Sequence, residues 1–562
     1  MVPGAGDLPI TLLHWGAALL PILVLLVLLV GLRWSTAAAG PAALAVAVAV
    51  ALLLFRTPLF ALGVAVGKGI WDALFILYVI WPALIFYNVA EKAGAFTVMQ
   101  REIRKAMPDR LLVVLVYAWV LASFIQSIAG FGTPLAVTAP LLVGLGVRPL
   151  YAVVLPLVGP AWANSFGSLG ATWLATLAVV DVANPARTLL YAGILLWIPN
   201  LTGALAICWF YGRGWGLRRG LPAVLAISLV QGGLQLALLQ VEPTIACFVA
   251  CGAGLGVTFA LNRWSFYRQE DEDEPNLIFV ERRRDISMPP GRAGSQTYWP
   301  RTTEPMRAAR RLGARRISLK LTFVPYIILA VLTLGALAIP PVHDRLAQVG
   351  FGPPFPGSET GYGVIREAEA PYSPLEPLVH PGTFLLLSAL IGYVIYSRGG
   401  YYRPGTNLAS LVGDAAEGAL PSTAAITALL TISSVMDHSG QVTLLGLGIA
   451  VVAPTLVVAA ASPLIGALGA MITSSNTASN ILFAPLQAQA AAAEGIAQEL
   501  AIAGQTAGGA TGNALAPGDA LLGATIVGQP EQVGSILRKI LPWTLIVAVL
   551  VAGATLLLHL LG

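Results

Sequence analysis

Four stretches of this sequence interrupt long apolar runs with glycine and small polar residues: "QSIAGFGTP" (126–134), "GPAWANSFGSLG" (159–170), "TSSNTASN" (473–480) and "GQTAGGATGNALAPGD" (504–519). They offer hydroxyls, primary amides and a single carboxylate. The candidate binding residues are Gln126, Ser127, Gly130, Gly132 and Thr133 in the first stretch and Asn164, Ser165 and Ser168 in the second. The third supplies Ser474, Ser475, Asn476, Thr477 and Asn480, and the fourth Gln505, Thr511 and Asn513. This set suits holding a small anion rather than reacting with it. Where a helix restarts after a break, its first N–H groups lack partners and carry about half a positive charge, which suits a carboxylate. Small side chains add contacts without blocking the approach.

Ionisable residues at membrane depth are rare and functional by default. Asp519, just past the fourth stretch, is the first candidate for coupling to a proton or another cation, and Asp437 and His438 at a helix end are the second. Asp72 and Glu91 read as surface groups near helix ends. No nucleophile is paired with a base, so catalysis is not expected. Cys208, Cys247 and Cys251 lie in apolar segments, and two thiols on one helix face do not make a metal site. No zinc, haem, iron–sulfur, phosphate-loop or dinucleotide pattern occurs, so no cofactor is expected beyond a co-transported proton, with sodium as the alternative.

The elements that must position these residues are membrane helices. Of 562 residues, 57% are apolar and only 10% charged, with mean hydropathy +0.79. A soluble domain carries roughly 25% charge. Apolar segments recur from end to end, and the first, 12–32, is too long for a signal peptide. The net charge of +5 lies in loops and bears on topology rather than on nucleic acid. The expected fold is therefore an all-α polytopic membrane protein with about twelve transmembrane helices, two re-entrant helical hairpins and two discontinuous helices.

The distribution of Lys and Arg orients the segments. Residues 1–67 form N-terminal membrane helices. A first repeat, 68–262, contains a short surface helix in "TVMQREIRKAMPDR" (97–110), a hairpin at 111–147 and a broken helix at 151–180. The hairpin has Arg110 at one end and Arg148 at the other, so it opens inside. Helices follow at 188–211, 221–239 and 244–262. A basic, partly disordered cytoplasmic loop covers 263–318, and connecting helices with a Pro- and Gly-rich outer loop cover 319–404. The second repeat, 405–562, holds a hairpin at 457–495 flanked by Asp437, Glu494 and Glu499, which opens outside, and a broken helix at 499–528. Both termini are placed outside.

The two halves share one order of parts with opposite hairpin flanks, the mark of inverted repeats with a site near the midplane. "TAPLL" (138–142) and "FAPLQ" (483–487) lie 345 positions apart, the same offset that sets Gly167-Ser168 on Gly512-Asn513.

"QSIAGFGTPLAVTAPLLVGLGVRPLYA" (126–152), "DHSGQVTLLGLG" (437–448), "TSSNTASNILFAPLQAQAA" (473–491) and "AGQTAGGATGNALAPGDALLGATIVG" (503–528) together resemble the L-lactate permease family. The resemblance covers 68–200 and 405–562 best. It implies a permease of the cell membrane that imports lactate, glycolate and related 2-hydroxymonocarboxylates with protons. It also implies a fold of scaffold plus hairpin-bearing transport domain, often dimeric. Typical members carry an acid at Gln126, an Asp at Asn476 and a Lys at Asn513. Neutral amides stand at all three here, so the usual coupling and anion-binding groups are absent. "SNT" (475–477) is similar to the tip motif of sodium-coupled dicarboxylate transporters, which keeps sodium open as the coupling ion. An uncoupled anion channel is the remaining alternative.

Overall fold

The computed structural model describes residues 8–130, 132–268, 277–280, 317–337, 339–452 and 454–561. Most of the expected loop 263–318 and the N-terminal residues 1–7 lie outside the described residues. The described chain is helical almost throughout, and the only paired strands among the described residues are Ser358–Glu359 and Ile365–Arg366. Ten described helices are long and apolar enough to cross a membrane, against about twelve expected. One of them, Pro185–Leu239, turns back at Gly212 and Arg213 (Arg213 φ 52°). Its two limbs lie side by side, since Trp197 Nε1 donates to Ser228 Oγ over 3.1 Å and Asn200 Nδ2 to Gln231 Oε1 over 3.2 Å. These limbs are the helices expected at 188–211 and 221–239. The expected helix at 382–397 is present as Pro381–Arg398.

The segment expected as the first hairpin consists of Arg110–Ile128, helical with one π-turn, and Thr133–Gly144. Its limbs are unequal: the first has nineteen residues, which is span length, and the second has twelve. Its two feet meet. Arg110 stacks on the Phe279 ring at 5.9 Å, Arg148 N donates to Ile278 O over 2.7 Å and Arg148 Nε donates to Phe279 O over 3.1 Å. The second segment behaves alike. Thr455–Thr473 and Asn476–Glu494 are joined at Ser474 and Ser475, and at the far end Thr455 Oγ1 donates to Glu494 Oε2 over 2.8 Å. Ser474 turns the chain with left-handed φ 54°, and Ser475 caps the next helix by accepting from Ala478 N over 3.2 Å.

The first broken helix breaks where the sequence indicated. Pro149–Val158 gives way to a 3-10 turn, Ala161–Asn164, and then to left-handed Ser168, Leu169 and Gly170. The second breaks only in the last part of its stretch, 504–519. Gln498–Asn513 is continuous, and only Ala514–Ala516 interrupts it before Pro517–Ile526. The glycines of 504–512 serve packing instead. A Cβ on Gly508 would collide with the Pro463 carbonyl, and one on Gly512 with the Ala467 carbonyl. Spaced four apart, Gly504, Gly508 and Gly512 let this helix touch Thr455–Thr473 backbone to backbone.

The short helix read in 97–110 is present as Ala95–Ala106, with Phe96, Met99 and Ile103 buried and Lys105 exposed. Asp72 departs from its reading as a surface group. Its helix, Leu59–Lys92, starts ten residues before the expected 69, so Asp72 is interior to it and 3% exposed. The Pro- and Gly-rich loop covers it: Tyr372 Oη donates to Asp72 Oδ2 over 2.9 Å, and Glu369 pairs with buried Lys68 at 2.7 Å.

Candidate substrate site

The breaks of all four segments meet at one open-mouthed cavity, whose empty space of about 760 Å3 includes the solvent-open mouth. Gln126, Gly130 and Gly132 come from the first helix pair, Asn164 and Ser168 from the first broken helix, Ser474 to Thr477 from the second pair, and Asn513 and Asp519 from the second broken helix. Eleven of the residues singled out by type and spacing thus line one space, although the sequence separates them by up to 393 positions (Gln126 to Asp519). Among the described lining residues there is no Lys, Arg or His, and Asp519 is the one ionisable side chain.

The polar atoms on this wall are held from behind. Gly130 N donates to Ser168 Oγ over 2.8 Å, tying the first tip to the first broken helix. Gln126 Nε2 donates to Asn164 Oδ1 over 2.8 Å, and Asn164 Nδ2 donates to Ala510 O over 3.2 Å. Asn476 Nδ2 donates to Ser165 Oγ over 3.1 Å, and Gly518 N to Ser474 Oγ over 3.3 Å. Asn513 Nδ2 reaches Asp519 Oδ2 at 3.4 Å. Asn476 Oδ1 and Asn513 Oδ1 are buried without a hydrogen-bond partner, a state that costs about 1–3 kcal/mol per group unless a ligand or water answers it.

Other candidates stand behind the wall or away from it. Ser165, Asn480 and Gln505 are buried in a network: Asn480 Nδ2 donates to Thr176 Oγ1 and Thr506 Oγ1 over 2.9 Å each, and Gln505 Nε2 to Ser479 Oγ over 2.9 Å. Ser127 and Thr511 bond back along their own helices, to Phe124 O and Ala507 O. Thr133 opens its helix without lining the cavity. Asp437 and His438 are also outside it. Arg366 from the Pro- and Gly-rich loop holds Asp437 through contacts of 2.7 and 3.0 Å, and His438 Nδ1 lies 3.0 Å from Ser434 O in its own helix. Asp437 is thus tied to the loop that carries Arg366, while His438 bonds within its own helix.

Sequence reasoning missed Thr172, whose Oγ1 lies 2.7 Å from Thr477 Oγ1 and 3.1 Å from Asn164 O. It sits in the apolar run after the second stretch, where a lone threonine carries no signal. The prolines Pro134, Pro156 and Pro160 also line the cavity. Each stands beside a break, and that was the available cue.

A chain with ten described helices long and apolar enough to span a bilayer is an integral membrane protein, and its chain breaks surround a polar cavity. The L-lactate permease family model matches residues 16–287 and 364–562, and the chain belongs to that family. The L-lactate permease of Escherichia coli (strain K12) is 27% identical over 96% of this chain and 94% of its own length. The glycolate permease GlcA of the same strain is 26% identical over the same shares. Among solved structures, the YdaH transporter of Alcanivorax borkumensis aligns over 87% of this chain and 86% of its own, at 15% identity and TM-score 0.43. That likeness is too slight to define the fold.

Proposed function

We propose that this chain is a secondary transporter that imports lactate or a related 2-hydroxymonocarboxylate such as glycolate, coupled to a proton. The carrying observation is the cavity itself: neutral donors and helix starts around one carboxylate, Asp519. The carboxylate of the substrate sits at the start of Asn476–Glu494, among the first N–H groups and the Ser474 and Ser475 hydroxyls. Family membership and the names of the relatives support the substrate class.

The coupling follows from charge. Lactate is ionised at pH 7, since carboxylic acids titrate near 4, and moving one charge through 100 mV takes roughly 2.3 kcal/mol. An inward carrier therefore needs a cation. An ionised Asp519 repels the substrate across the cavity, so protonation of Asp519 and binding of the anion favour each other. A second reading uses sodium in place of the proton. The unpartnered oxygens Asn476 Oδ1 and Asn513 Oδ1 favour it, because hard cations take oxygen ligands.

In this proposal the two helix pairs are re-entrant hairpins of inverted repeats, 68–262 and 405–562, entering from opposite faces. Their meeting tips and closed feet support that arrangement. The hairpins and broken helices form a transport body that moves against the scaffold in an elevator-like or rocking cycle. The protein works as a dimer in the cell membrane, with both termini outside and 263–318 in the cytoplasm.

The test is uptake of labelled L-lactate into proteoliposomes with pH, sodium and voltage gradients imposed singly. Accumulation driven by an inward proton gradient is expected. Accumulation driven only by sodium selects the second reading, and uptake that ignores every gradient removes symport.

A further inference from the structure

We infer that Thr477, oriented by Thr172, recognises the 2-hydroxyl of the substrate and so separates 2-hydroxy acids from plain carboxylates. The inference rests on the carboxylate reading proposed above. Thr172 Oγ1 contacts both the Asn164 carbonyl, at 3.1 Å, and Thr477 Oγ1, at 2.7 Å. A hydroxyl has one hydrogen, and a carbonyl can only accept. One arrangement satisfies both contacts: Thr172 donates to Asn164 O, and Thr477 donates to Thr172. The Thr477 oxygen is then left with accepting capacity and no hydrogen to give.

The serines of the cavity are set the opposite way. Ser168 Oγ accepts from Gly130 N, Ser474 Oγ from Gly518 N and Ser475 Oγ from Ala478 N. Each keeps its own hydrogen for a ligand. The serines thus offer donors, which suit a carboxylate, and Thr477 offers an acceptor, which suits a hydroxyl; of the other unpartnered acceptors, Asn476 Oδ1 packs against Gly509 and Asn513 Oδ1 belongs to the second broken helix.

Spacing decides which hydroxyl. In a 2-hydroxy acid the O–H stands on the carbon next to the carboxylate, so its acceptor must lie within one helical turn of the carboxylate donors. Ser475 is the N-cap and Thr477 the second residue of the same helix. A 3-hydroxy acid carries its O–H one carbon too far. Thr172 and Thr477 are 4% and 6% exposed. Water therefore replaces a missing substrate hydroxyl poorly, and an acceptor left unpaired is what discriminates.

The experiment measures inhibition of labelled L-lactate uptake in proteoliposomes by unlabelled L-lactate, propionate and 3-hydroxypropionate. The wild type should prefer lactate over both competitors by about tenfold or more. Thr477→Val should weaken lactate about tenfold, leave propionate unchanged and so abolish the preference, with Thr172→Val acting in the same direction. Thr477→Ser, which keeps the hydroxyl, should retain the preference. Equal weakening of lactate and propionate, or a preference surviving in Thr477→Val, overturns the role of Thr477 while leaving carboxylate transport in place. A wild type that neither takes up lactate nor is inhibited by any of the three acids overturns the carboxylate reading and this inference together.

Discussion

Replacing Asp519 by Asn removes the one ionisable group among the described residues of the cavity wall and keeps its shape. An anion bound in the cavity shares it with the Asp519 carboxylate, and a charge separation of about 6 Å sets the scale of their repulsion. Two like charges at about 6 Å with an effective dielectric of about 20 repel by about 2.8 kcal/mol, or roughly 100-fold in affinity. In the wild type, apparent lactate affinity should therefore fall as pH rises and Asp519 loses its proton, by up to about two orders of magnitude. In Asp519→Asn the affinity should stay high and flat across the same range. The variant should still exchange internal for external lactate but should not accumulate it down a proton gradient. The assay is the apparent KM for labelled L-lactate at a series of pH values, paired with counterflow. An Asp519→Asn variant whose affinity still falls with pH, or which still concentrates lactate when only a proton gradient is imposed, would refute the reasoning and move coupling to another group.

Gly508→Ala should force apart the helices it joins, because its Cβ meets the Pro463 carbonyl; overpacking of this kind costs about 1–3 kcal/mol and should lower the melting temperature in detergent. Ser127→Ala and Thr133→Val should retain uptake within about twofold, since the Ser127 hydroxyl bonds its own helix and Thr133 stands off the cavity; radiotracer uptake checks this. Tyr372→Phe leaves the buried Asp72 carboxylate without its donor. It should lose about 1–3 kcal/mol of thermal stability, measured by unfolding in detergent, with little change in apparent KM.

The breaks were legible in the sequence because a polar, glycine-rich stretch inside an apolar run violates a strong constraint, and few structures relieve it. The cavity residues were legible for the same reason. Other features were not. Glycines look alike whether they permit a turn or a close approach, so Gly504–Gly512 read as a break where the structure has a packed helix. Asp437 is held by Arg366 from a loop 71 positions away, a contact that no local pattern around Asp437 and His438 announces. Asp72 is buried by a partner 300 positions away in sequence, and no local pattern announces that contact. Thr172 matters only through a 2.7 Å contact across 305 positions.

The central claim is that the substrate occupies the cavity where the four breaks meet. Ser474 lines it at the tip of the second helix pair, and the native Cys208, Cys247 and Cys251 are buried, so a Ser474→Cys variant offers one accessible thiol among the described residues. The direct measurement is the rate at which a methanethiosulfonate reagent labels that thiol as L-lactate is titrated. Labelling should slow with half-protection near the lactate KM, while propionate at the same concentrations protects less. Labelling unchanged at saturating lactate, in a variant that still transports, would contradict the account.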